Sequence, residues 1–153
     1  MIVPAKESDL PDLQRLNKQI FEYEIEHCSP DGWNPNFPYE KDGIAYLNKA
    51  IKNEEGYAGF VYKQQDNNIG YIILRLVPSE DTSHRNDVIL AQIHTLCVDT
   101  PFRGKGVGHE LIAFSQKWAK EKGASHIKVV AMAQNSYASS IYKKFGFEEF
   151  EVA

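Results

Sequence analysis

Three glycines, Gly104, Gly106 and Gly108, alternate directly after a β-rich run and at the start of a helix-periodic one. Without Cβ atoms, such a turn can aim successive backbone N–H groups at one point, an arrangement that suits an anion and above all a phosphate. The helix that follows adds the partial positive charge of its N-terminus, about 0.3–1 kcal/mol toward an anion when exposed. Arg103 and Lys105 add side-chain charge. Taken alone, RGKGVG fits a tight strand-to-helix connection equally well. It is not a Walker loop, which needs GxxxxGK followed by a hydroxyl residue. A dinucleotide fold would want an acidic residue near the end of the next strand, where this chain reads Ala131-Met132-Ala133-Gln134.

Other reactive side chains are few. Cys28 and Cys97 stand far apart and without partners at metal-ligand spacing, so neither a disulfide scaffold nor a metal site is expected. His27, His84, His109 and His126 fall in loops or at element ends, where a solvated role is the default. His94 lies within a strand-like run. It can exchange a proton near neutral pH, and it suits equally well a packed histidine bonded to a neighbour.

The elements that must position these groups follow from periodicity. Ser8 or Asp9 can cap a helix carrying Leu10, Leu13, Leu16 and Ile20 and running to about Glu26. The proline-rich stretch from His27 to Tyr39 breaks regular structure, and a second helix fits Glu40 to Lys52. YAGFVYK and IGYIILRLV form a hairpin across Gln65-Asp66-Asn67-Asn68. A polar loop from Pro78 to Asp87 leads to a strand over Val88 to Val98. After the glycine turn come a helix bearing Leu111, Ile112, Ser115, Trp118 and Ala119, and a buried strand over Ile127 to Met132. Asn135 can cap a short helix whose Ala138, Ile141, Tyr142 and Phe145 share one face. A last strand is expected over Phe147 to Val152.

At 153 residues, 42% hydrophobic and 25% charged, the chain supports one sizeable core, so residues 1–153 read as a single α/β (α+β) domain. A net charge of −4 gives no reason to expect nucleic acid as a partner. No apolar run approaches the roughly 20 residues of a membrane span, and the start lacks a basic n-region and an apolar h-region. The expectation is a cytoplasmic protein that engages no membrane.

The run Val98-Asp99-x-x-x-Arg103-Gly104-x-Gly106-x-Gly108 resembles the Arg/Gln-x-x-Gly-x-Gly/Ala motif of the GNAT acetyltransferase superfamily. A second match lies 27 residues beyond Gly108, where Asn135-x-x-Ala138-x-x-x-Tyr142-x-x-x-Gly146-Phe147 is similar to the family's downstream motif. Two ordered motifs are far more specific than one, and the order of elements agrees over almost the whole chain. The resemblance implies the GNAT fold, a mixed and mostly antiparallel sheet flanked by about four helices. It also implies acetyl-CoA as donor substrate, with no metal.

By that resemblance, the backbone of Arg103, Gly104, Lys105, Gly106, Val107 and Gly108 grips the pyrophosphate of coenzyme A. Leu96, Cys97 and Val98 flank the pantetheine arm and the thioester, and Asn135 adds a side-chain contact to the pantetheine portion. Tyr142 donates a proton or hydrogen bond to the departing thiolate, where periodicity alone would read it as core. An amine resembling lysine has a pKa near 10.4, so a proton sink is required, and His94 is the candidate base. Cys97 could in principle be acetylated first. No neighbour in the sequence would lower its pKa, so direct attack in a ternary complex is preferred.

The acceptor is an amine of a small molecule or peptide. Glu22, Glu24, Glu26, Asp31, Glu40 and Asp42, with Tyr23, Trp33, Phe37 and Tyr39, can attract and enclose a cationic amine, or form a solvated face and a folded connector. The family usually ends in two long antiparallel strands, whereas only six residues follow Phe147 here. An edge left open by a truncated last strand can be covered by a second subunit, giving a homodimer, or by a short turn. The rival to catalysis is a non-catalytic CoA-binding sensor or partner-binding module.

Overall fold

The computed structural model describes residues 1–28, 31–77, 89–130 and 136–149. Among them are strands β1 (Ile2–Pro4), β2 (Tyr57–Gln64), β3 (Asn67–Leu76), β4 (Leu90–Val98) and β5 (His126–Val129). The helices are α1 (Leu10–His27), α2 (Lys41–Lys52), α3 (Val107–Glu121) and α4 (Ser136–Lys144). The five strands form one sheet in the order β1-β2-β3-β4-β5, antiparallel at every pair except β4 with β5, which is parallel.

Two apolar clusters sandwich this sheet. On one side α1 and α2 press Leu13, Leu16, Leu47 and Ala50 against Val61, Tyr71, Ile73 and Cys97. On the other, α3 packs Val107, Leu111, Trp118 and Ala119 against Ile72, Leu74, Ala91 and Ile93. β3 alternates between the two clusters and is buried on both faces, which is why its sequence is almost continuously apolar rather than alternating with polar residues. The hairpin joining β2 to β3 turns in two residues, Gln65 and Asp66, with φ of 51° and 67°. That pair of left-handed residues matches the twist of the flanking strands.

Several boundaries differ from the sequence reading for local reasons. Asp9 does not cap α1 with its side chain, because its carboxylate accepts from the Lys6 N–H at 2.8 Å and from Asn68 Nδ2 at 3.0 Å. α1 extends through His27, and Phe37–Tyr39 forms a 3₁₀ turn inside the stretch expected to be irregular. β5 ends at Val129, short of Met132. The strand expected over Phe147 to Val152 does not form over residues 147–149, and residues 150–153 lie outside the described ones, as do Asn135 and the polar loop from Pro78 to Asp87. No helix among the described residues is long and apolar enough to cross a membrane.

Candidate functional site

The site begins where β4 leaves β5. The described β4–β5 ladder runs only from Leu90 opposite His126 to Ile93 opposite Val129, and Val130, next along, is 79% exposed. Asp99 donates its N–H to the Ile69 carbonyl at 2.8 Å, so it faces β3. Peptide groups alternate between the two edges of a strand, so Leu96 and Val98 present theirs to the opposite edge, where no described residue pairs with β4 beyond Ile93. Consistent with that direction, the Val98 carbonyl accepts from Arg103 Nε at 2.9 Å, a donor that comes from the glycine turn.

β4 also changes parity within itself. Ala91 and Ile93 belong to the α3-side cluster, whereas Cys97 belongs to the α1/α2 side and Leu96 and Val98 to the α3 side. The switch is a bulge: Ile73 pairs with Thr95 and Leu74 with Ile93, leaving His94 as the extra residue. His94 and Thr95 consequently both point toward α2. The Tyr46 hydroxyl lies 2.7 Å from His94 Nδ1 and is also hydrogen-bonded to Thr95 Oγ1.

The turn itself is built to leave donors unpaired. Gly104 and Gly106 take φ of +76° and +87°, and a Cβ at either would have no protein atom within 4 Å. Gly106 heads α3 with no side-chain cap. Among the described residues, no backbone carbonyl takes the N–H groups of Gly104, Lys105, Gly106, Val107 or Gly108. An open cradle of donors at a helix N-terminus fits a phosphate group, such as those of the pyrophosphate that the resemblance implies. The carboxylate of Glu110 in the first turn of α3, which would oppose an anion, is hydrogen-bonded by the Tyr62 hydroxyl. Lys105 is exposed, its Nζ 5.7 Å from the Phe102 ring centroid.

A polar brace fixes the approach to this turn. Arg15 Nη1 and Gln19 Nε2 each reach an oxygen of Asp99 at 2.9 Å, and Gln19 Oε1 accepts from the Thr100 N–H at 3.2 Å. Burial pushes the Asp99 carboxyl up, but the Gln19 and Arg15 hydrogen bonds outweigh it and hold the group below its ordinary value. Asp99 stands in the glycine-turn motif, but Arg15 and Gln19, 84 and 80 positions away, carry no signal in the sequence that pairs them with it.

The other residues singled out from the sequence occupy distinct places. Tyr142 on α4 packs half-buried against the α3-side cluster to which Leu96 and Val98 also belong, with the Phe147 ring centroid at 5.6 Å. Burial pushes its phenol up to about 12, so it is a proton donor throughout the neutral range. His94 sits on the opposite face among Tyr46, Tyr57 and Arg75; its pKa is lowered, by burial first and then by the Arg75 guanidinium. Cys97 is buried, donates its S–H to the Leu16 carbonyl at 3.1 Å and has its thiol pushed up to about 12, chiefly by burial. Its side chain therefore contributes packing, while its main chain stays in the strand beside the opening. Among the described residues no group of three or more His, Cys, Asp or Glu could hold a metal ion.

Comparison with known proteins bears on this geometry. An uncharacterised N-acetyltransferase of Methanocaldococcus jannaschii is 40% identical over 63 residues, 41% of this chain but only 28% of that protein's length. The streptothricin acetyltransferase of Escherichia coli is 28% identical over 154 aligned residues, 95% of this chain and 78% of its own. The fold matches that of the aminoglycoside N-acetyltransferase AAC(6')-Iy crystallised with CoA, at a TM-score of 0.72 and 18% identity over 100% of this chain and 95% of that one. A profile of the acetyltransferase (GNAT) family matches residues 15–147, spanning the brace, the bulged strand, the glycine turn and α4, and the chain belongs to that family.

Proposed function

We propose that the protein transfers the acetyl group of acetyl-CoA to a primary amine of a small molecule or peptide by direct attack in a ternary complex. The observation that carries this reading is the open cradle of N–H donors from Gly104 to Gly108 beside a stretch of β4 that pairs with no described residue on its β5 side. When bound, acetyl-CoA supplies the activated acyl group. The chain supplies the rest. The glycine turn holds the diphosphate, and the Leu96 peptide groups and the Val98 N–H orient the arm that lies along them; the family motif adds a side-chain contact from Asn135, which lies outside the described residues.

Tyr142, protonated at neutral pH, stands ready to donate to the sulfur as it leaves. His94, neutral at the same pH because its pKa is lowered, accepts the ammonium proton of the acceptor. Similarity to streptothricin acetyltransferase makes streptothricin the first acceptor to test, and an unreacted alkyl amine is a cation at neutral pH. The acidic residues Glu22, Glu24, Glu26 and Asp42 on α1 and α2 would draw such a cation to the face where His94 stands. Calorimetry with CoA, followed by acetyl-CoA turnover against streptothricin, aminoglycosides and lysine-containing peptides, tests the reading. CoA binding with turnover of an amine is expected. CoA binding with no turnover of any amine would favour a CoA-sensing module, and absence of CoA binding would remove both.

A further inference from the structure

The Tyr46 hydroxyl touches both residues of the β4 bulge, and its single proton constrains the proton on His94. The phenol is pushed far above its ordinary value by burial, so the oxygen keeps its hydrogen at every working pH. Two directions of hydrogen bonding are available. In one, His94 Nδ1–H donates to the Tyr46 oxygen and the Tyr46 O–H donates to Thr95 Oγ1. In the other, Thr95 donates to Tyr46 and Tyr46 donates to a bare Nδ1, which places the ring proton on Nε2.

Only the first leaves Nε2 with a lone pair, and only the first needs no rearrangement when the ring becomes imidazolium, because both ring nitrogens are then donors. His94 remains exposed although Nδ1 is engaged, so Nε2 is the nitrogen open to an incoming amine. The aromatic walls restrict the ring further. Tyr46 and Tyr57 have centroids 5.2 and 5.3 Å from that of His94, and Tyr57 is itself clamped by Arg75 at 4.7 Å.

We propose that Tyr46 is a positioning residue that holds neutral His94 with its proton on Nδ1, through the chain His94 Nδ1–H to Tyr46 O–H to Thr95 Oγ1, so that Nε2 faces the acceptor amine. This rests on the reading of His94 as the base. In the transfer, the ammonium proton passes to Nε2, the amine lone pair forms the N–C bond, and the C–S bond breaks with its electron pair on sulfur, which takes the Tyr142 proton; the second proton that nitrogen sheds as the amide forms restores Tyr142 by way of solvent. The Nδ1–H bond to Tyr46 persists throughout. Among the described residues, the charged and titratable groups facing His94 are Tyr46 from α2, Tyr57 from β2 and Arg75 from β3, with the Thr95 hydroxyl beside it on β4.

The test is long-range ¹H–¹⁵N spectroscopy of the His94 ring in the whole protein and in Tyr46→Phe, over a pH titration without ligand. The expected neutral ring is protonated on Nδ1 in the parent. In Tyr46→Phe that preference is lost and the His94 pKa falls further, because the imidazolium loses an acceptor. A parent ring protonated on Nε2, or spectra and pKa unchanged by Tyr46→Phe, would overturn the inference, since a merely structural phenol moves neither. His94→Gln, assayed for acetyl-CoA turnover with streptothricin, separates this from the underlying reading. Full turnover there, with the tautomer still governed by Tyr46, would sink the base assignment and leave the positioning role standing.

Discussion

The substitution Gly106→Ala separates what the glycine turn does for folding from what it does for binding. Gly106 sits at φ +87°, ψ −1° at the head of α3, and an added methyl group would meet no protein atom within 4 Å. The cost to the fold is therefore conformational, about 1–2 kcal/mol for an L-residue held in the left-handed region. At about 2–4 °C per kcal/mol for a domain of this size, the melting temperature should fall by roughly 2–8 °C. On the proposed reading the space around that methyl is taken by the bound phosphate, with which it would compete. CoA affinity should drop at least about tenfold, or 1.4 kcal/mol, in calorimetry, and the β-branched Gly106→Val should be worse on both counts. Gly43 is the contrasting control. A Cβ there would lie 1.8 Å from the Phe37 carbonyl oxygen, so Gly43→Ala should fail in folding rather than in binding. A Gly106→Ala protein that melts lower yet binds CoA with undiminished affinity would refute the assignment of the turn.

Three further outcomes can be checked alongside it. Tyr142→Phe should lower kcat by about 10²-fold while calorimetry shows CoA affinity nearly unaltered; equal kcat would return Tyr142 to a packing role. Cys97→Ala should lose about 1 kcal/mol of stability with the bond to Leu16, yet keep turnover without a burst of acetylated enzyme; an acetyl group trapped on the parent's Cys97 would contradict direct attack. Asp99 has a depressed pKa, so its contribution to stability is complete above the unfolded value near 3.9 and is lost as pH falls through the folded one. The gap in urea midpoint between the parent and Asp99→Asn should thus be full at pH 7 and close below about pH 4; a gap constant down to pH 3 would show that the carboxylate charge is not what braces the turn.

Much of the architecture was legible because it is written in local periods. Leu13 and Leu16 on α1, the doubly apolar run of β3 and the Gly104 to Gly108 alternation each declare their element within a few residues. Motif spacing singled out Tyr142, which periodicity would have left in the core. What stayed hidden depends on pairing. The bulge at His94 is one residue of register between β3 and β4, and its sequence signature is no more than a histidine in a strand. The same holds for Tyr46, 48 positions from His94, and for the Arg15–Asp99 brace, 84 positions apart. Asp9 looked like a cap because its type and place are those of a cap, and it was drawn instead into a cluster with Asn68 and Lys63 that only the folded sheet assembles.

The parity change in β4 decides how two substrates could meet. In a strand without a bulge, His94 and Leu96 would share a face, and an acceptor would have to enter from the side that α3 and the coenzyme turn occupy. The extra residue puts His94 and Thr95 toward α2 while Leu96 and Val98 keep the α3 side, so on the proposed reading the sheet is a partition with the base on one face and the donor cradle on the other. Among the described residues none pairs with β4 beyond Ile93 on the β5 side, and on the proposed reading the two substrates meet along that edge. An amine arriving past the acidic ends of α1 and α2 would then approach the acyl carbon from the face opposite the coenzyme, losing its proton to His94 as it comes. A relay through a covalent enzyme intermediate would need a nucleophile along that edge. The cysteine of this strand is turned into the α1/α2 core and bonded to Leu16, so the arrangement favours both substrates bound at once.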